Sequence, residues 1–201
     1  MKRMVKVVLI MTVVLTMVSG VAFAATIIGT NGPDSISGTK NADQINGRGG
    51  NDAIDGKAGA DDELAGGFGD DAITGGSGND FIRGNAPDKT PESDSVFYET
   101  GADSIAGEEG ADTIFGGRGP DTISGGAGGD SITDGNGDAF GVKSDRSVDI
   151  ISGGPGDDLI SSTDSAKARD IISCGSGFDR VETDPGDRVA KDCEKVGAFP
   201  G

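Results

Sequence analysis

Large aliphatic residues recur along this chain at a spacing of nine: Ile27, Ile36, Ile45, Ile54, then Leu64, Ile73, Ile82, then Val96, Ile105, Ile114, Ile123, Ile132, then Ile151, Ile160, and last Ile172, Val181 and Val189. The steps that are not nine are 10, 14, 19, 12 and 8, and they divide the array into blocks. A fixed internal period of this kind marks a stacked repeat architecture, in which each unit buries its apolar residue only against its neighbours. Thirteen of the 16 Ile beyond residue 24 stand on this ladder. Two residues before nearly every rung is an Asp: Asp34, Asp43, Asp52, Asp62, Asp71, Asp80, Asp94, Asp103, Asp112, Asp121, Asp130, Asp149, Asp158, Asp170, Asp179 and Asp187. Only the first rung, Ile27, lacks one.

Glycine completes the unit. Five segments match the nonapeptide GGxGxDxUx in full, U being a large aliphatic, and begin at Gly66, Gly75, Gly116, Gly125 and Gly153. Partial copies beginning at Gly47, Gly56 and Gly107 keep the first and fourth glycines. These motifs resemble the repeats-in-toxin (RTX) family of calcium-binding proteins, and the resemblance covers most of residues 26 to 182. It implies an all-β fold, a parallel β-roll or β-solenoid of nonapeptide repeats.

The residue chemistry agrees with that implication. In xUx a three-residue strand turns one aliphatic inward and two residues outward. The six residues GGxGxD make the turn, their glycines tolerating left-handed backbone angles. Two nonapeptides form one coil of 18 residues, so turns 18 apart stack on one edge at about 4.8 Å. Stacked carboxylates repel one another, and their hard oxygens together with glycine carbonyls suit Ca²⁺, which takes six to eight oxygen ligands. Mg²⁺ is a poorer match because it dehydrates reluctantly and demands stricter octahedral geometry.

As the resemblance implies, sixth-position carboxylates and turn carbonyls of two stacked coils share an ion. The residues expected to take part are Asp34, Asp43, Asp52, Asp62, Asp71, Asp80, Asp103, Asp112, Asp121, Asp130 and Asp158. The expected pairs are Asp34 with Asp52, Asp52 with Asp71, Asp62 with Asp80, Asp103 with Asp121, and Asp112 with Asp130. At Asp61-Asp62-Glu63 one residue is added, and either Asp61 or Asp62 can serve.

Composition sharpens the case for a metal. The first 24 residues read as a secretory signal peptide, with Lys2, Arg3 and Lys6 before an apolar run from Val7 to Val18 that ends at Ala22-Phe23-Ala24. Beyond them stand 14 positive and 34 negative side chains, and only 31 of 177 residues are Ile, Leu, Val or Phe. Such a chain lies in the range of disorder unless something neutralises it. Its acidity disfavours nucleic acid and anionic membranes as partners. The absence of His removes the commonest general base and transition-metal ligand.

Three domains are expected: the signal peptide 1–24, the β-roll 25–182 with inserts near 83–95 and 133–148, and a C-terminal cap 183–201. Cys174 and Cys193, the only cysteines, are expected to pair in a secreted chain and to staple the roll to its tail. The second insert opens with Asp134, Asn136 and Asp138 and reaches Asp145 at position 12, a spacing that resembles an EF-hand loop, although Ala139 stands where Gly is wanted.

The expected function is secreted, non-catalytic binding of several calcium ions, with folding coupled to the metal. An adhesive or matrix module with a cell-envelope partner is a use of the same rod, with Phe97, Tyr98 and the inserts as candidate contacts. A polysaccharide-active enzyme on a β-helix is the competing class, and would need a basic cleft around Arg83 or Arg118.

Overall fold

The computed structural model describes residues 24–85, 101–135, 147–163 and 168–197. The signal-peptide expectation therefore lies outside the described residues, as do Asp94, Val96, Phe97, Tyr98, Asn136, Asp138 and Asp145. The described chain is all strand and turn. Counted from the N-terminus, the first, third and every further odd strand form one nine-stranded sheet, and the even strands form a second sheet of eight. Every pairing is parallel. The chain thus crosses from one sheet to the other at every turn, which makes a flattened solenoid of the expected kind.

Register follows the ladder. Ile45 lies beside Ile27 and Leu64, and Ile54 lies beside Ile36 and Ile73. Each rung is buried between two outward-facing neighbours, as in Ser35–Ser37, where only Ile36 is buried. The rungs of the two sheets meet in a single apolar row from Ile36 to Val181, with Ile27, Val189 and Cys193 packed at its margins. Full burial of each such aliphatic contributes about 1.5–3 kcal/mol relative to exposure.

One expectation about the ladder is corrected. Many strands are six residues long rather than three, as in Gln44–Gly49 and Ala72–Ser77. The cause is that the second and third positions of stacked turns also pair in register, for example Gly76 with Lys57 and with Glu108. Ile105 joins the sheet of Ile73, and Ile82 pairs with Ile114. Val96, the rung expected between Ile82 and Ile105, lies outside the described residues. At the far end the structure adds one, for Val196 pairs with Val181.

Candidate metal centre

Each turn places its Asp just before the strand, and the coil spacing stacks these acids into two columns. In the first column the backbone nitrogen of each acid donates to Oδ1 of the acid one coil later. Asp34 donates to Asp52 at 2.8 Å, Asp52 to Asp71 at 2.9 Å, Asp71 to Asp103 at 2.8 Å and Asp103 to Asp121 at 2.9 Å. The series continues through Asp149 and Asp170 to Asp187. The second column runs from Ala25, whose nitrogen donates to Asp43 at 2.8 Å, through Asp61, Asp80, Asp112, Asp130 and Asp158 to Asp179. Glu194 closes it by accepting from the nitrogen of Asp179.

The relay leaves the second carboxylate oxygen pointing elsewhere. Oδ2 of Asp52, Asp61, Asp71, Asp80, Asp112, Asp130 and Asp158 is buried with no hydrogen-bond partner. Buried polar atoms in that condition are rare and costly, which marks a missing ligand. Their destination is the first glycine of the same turn. A methyl built on Gly47 would clash with Oδ2 of Asp52 and lie 2.5 Å from the carbonyl oxygen of Gly66, one coil on. Gly56 meets Asp61 and the Gly75 carbonyl in the same way, and Gly66 meets Asp71 and the Gly84 carbonyl. Each cradle is a concave, side-chain-free space into which a carboxylate of one coil and a carbonyl of the next both point.

The backbone shape that makes these cradles depends on the other two glycines. Gly67 and Gly69 hold φ of 112° and 122°, where a side chain would be strained. Without a cation the carboxylates are poorly placed for charge. Burial, followed by the neighbouring acids, pushes Asp61, Asp71, Asp80 and Asp130 up to about 6, partly offset by their backbone hydrogen bonds. Asp52, Asp112 and Asp158 are raised for the same leading reason. Buried anionic oxygens, neutral carbonyls and no nitrogen or sulfur donor make a set that fits Ca²⁺.

The expected site residues divide as follows. Asp34, Asp43, Asp52, Asp71, Asp80, Asp103, Asp112, Asp121, Asp130 and Asp158 all stand in the columns, all buried but Asp34, which is half-buried. Asp62 does not. It is exposed, and Asp61 takes its place, with Asp61 Oδ1 accepting from Asp43 and Asp61 nitrogen donating to Asp80. The turn Gly56-Lys57-Ala58-Gly59-Ala60-Asp61 keeps the glycine-to-acid spacing of five, so Asp62 is the added residue at the strand entry. That spacing was the signal available in the sequence. Glu194 had none, because no glycine turn precedes it.

Two further clusters are visible among the described residues. Asp134, Asp149 and Asp170 bring carboxylate oxygens within 4.8 Å of one another, all three buried. Asp134 thus joins the first column, while the rest of the EF-hand-like spacing lies outside the described residues. On the outer face of the nine-stranded sheet the Arg83 guanidinium lies 4.8 Å from the Phe81 ring and 5.1 Å from that of Phe115. Glu63 lies beside it, 3.8 Å from the Arg83 guanidinium.

Cys174 and Cys193 are bridged, with Cα atoms 5.2 Å apart. Among the described residues no helix is long and apolar enough to cross a membrane.

No curated protein matches the sequence. The family model of the RTX calcium-binding nonapeptide repeat matches residues 28–63, 59–86, 99–123, 117–138 and 145–164, more than half of the chain. Repeats of this kind bind several calcium ions between stacked Asp turns, and the cradles supply the oxygens for it. The chain belongs to the RTX calcium-binding nonapeptide repeat family.

Proposed function

We propose that the protein is a secreted, non-catalytic calcium binder whose folding and metal binding are one reaction. The observation that carries this reading is the buried Oδ2 of the column acids, each facing the carbonyl of the next coil across a glycine cradle. Asp52, Asp61, Asp71, Asp80, Asp103, Asp112, Asp121, Asp130 and Asp158 are the proposed ligands, together with the first-glycine carbonyls, whereas Asp34 and Asp43 already accept at Oδ2 from the nitrogens of Thr30 and Thr39. Bound calcium supplies the positive charge that lets neighbouring anionic coils stack. The acids hold it, the glycines leave it room, and the relay of backbone nitrogens to Oδ1 fixes the carboxylates in place.

Coupling follows from the small core. One aliphatic per half-coil cannot offset roughly 1–2 kcal/mol of ordering entropy per residue, so the ions make up the balance. Secretion rests on the leader-like segment 1–24, and an exported chain meets millimolar calcium only after it leaves the cytosol. Far-UV circular dichroism of the chain from Ala25 onward, in chelator and then in calcium, tests the coupling. Disorder giving way to β structure is expected; full β structure in chelator would overturn it. Calorimetric titration should count several ions, and fewer than three would discredit the stacked-turn assignment. Amino-terminal sequencing of exported protein should begin at Ala25.

A further inference from the structure

The first position of each turn decides whether its cradle is open, and four of the later turns lack glycine there. Asp134, Ser162, Cys174 and Thr183 stand two residues after their rungs, where Gly125 and Gly153 stand after Ile123 and Ile151. At Ser162 the change is explicit. Its hydroxyl, fully buried, donates to Oδ2 of Asp170 at 2.8 Å, while Oδ1 of Asp170 accepts from the nitrogen of Asp149 at 2.9 Å. Both oxygens of Asp170 are thus engaged by the protein, and the space a cation would enter holds a Cβ and a hydroxyl.

At Cys174 the side chain is also fully buried and is tied covalently to Cys193. Asp179, the acid of that turn, gives its Oδ1 to the nitrogen of Asp158, but its Oδ2 is buried with no hydrogen-bond partner, as in the open cradles. The Cys174 carbonyl still faces the open cradle of Gly153 and Asp158.

We propose that the cradle of Asp170 takes no calcium, and that the Ser162 hydroxyl takes there the place an ion takes earlier in the roll. The inference rests on the calcium reading above and specifies the turn it excludes. Physically, the hydroxyl satisfies the carboxylate oxygen that is left unpartnered in the open cradles, so this turn holds its shape without calcium.

Native mass spectrometry of the chain from Ala25 onward, saturated with calcium, tests it by counting ions. Ser162→Gly, which frees Oδ2 of Asp170 and opens its cradle, should raise the count by one, and Ser162→Ala, which keeps a Cβ in that space, should leave it unchanged. Asp112→Asn, at an open cradle, should lower it by one, and Gly107→Ala provides the same readout if that variant fails to fold. No gain in Ser162→Gly, or a gain in Ser162→Ala, overturns the inference. A wild-type chain that takes up no calcium at all fails the underlying reading instead.

Discussion

Glu194 accepts a hydrogen bond from the backbone nitrogen of Asp179 at 2.9 Å, repeating with a longer side chain what an Asp does in every earlier coil of that column. Asp179 is fully buried, so its nitrogen depends on this acceptor. Glu194→Ala should cost about 1–3 kcal/mol, the penalty for a buried donor left unpaired. Glu194→Gln keeps an acceptor oxygen and should recover most of that loss. Chemical denaturation in saturating calcium measures both, and equal losses would show that the charge rather than the hydrogen bond matters.

The cradle glycines should be intolerant of the smallest addition. In Gly66→Ala a methyl would meet Oδ2 of Asp71 and the carbonyl of Gly84 at 2.5 Å. One calcium should be lost from the count, and overpacking of this kind costs typically about 1–3 kcal/mol. Gly32, with nothing near it, is the control. Gly32→Ala should bind the full complement of ions.

Removal of calcium should invert the usual effect of acid. Asp61, Asp71, Asp80 and Asp130 titrate at about 6 in the folded chain against an ordinary 3.8. The folded state therefore holds protons more tightly than the unfolded one. The stability these groups contribute is present below about pH 4 and is lost as pH rises through about 6. In chelator, β structure by circular dichroism should be greater at pH 4 than at pH 7. With calcium present the order should reverse, since the metal needs deprotonated carboxylates.

Three turns carry a side chain where the backbone wants none. Arg48, Lys57 and Glu108 hold φ of 78°, 87° and 80°, and pair in register with Gly67, Gly76 and Gly126. Left-handed geometry costs such residues about 1–2 kcal/mol, of which the extra chain entropy of glycine returns roughly 0.5–1. Arg48→Gly and Lys57→Gly should each stabilise the calcium-loaded chain by up to about 1 kcal/mol. The midpoint of thermal unfolding in calcium is the measurement, and a lower midpoint would count against the strain.

Much of this structure was legible because one residue type carries each task. An Ile every nine residues announces the rungs, and an Asp two places earlier announces the columns. Legibility fails where a turn changes length. Asp61 and Asp62 are chemically identical neighbours, and only the distance back to Gly56 separates them. Where the period breaks after Ile82, the described strands still alternate sheets, Ile82 pairing with Ile114 and Ile105 with Ile73. Glu194 and Val196 were hidden for the opposite reason. The sheet supplies their place by hydrogen bonding to a coil already formed, and needs no repeat motif from them.

The three longest intervals between successive strands, Arg83 to Ser104, Thr133 to Ile150 and Ser162 to Ile171, each lead from the nine-stranded sheet to the eight-stranded one. The irregular spacing therefore falls between strands on the edge that carries Asp103, Asp149 and Asp170. Along the other edge, from Asp43 to Asp158, the one added residue is Asp62. The rod thus has a spine and a fringe. The spine keeps the pitch, so the fringe can lengthen or diverge without any coil losing count of its neighbours.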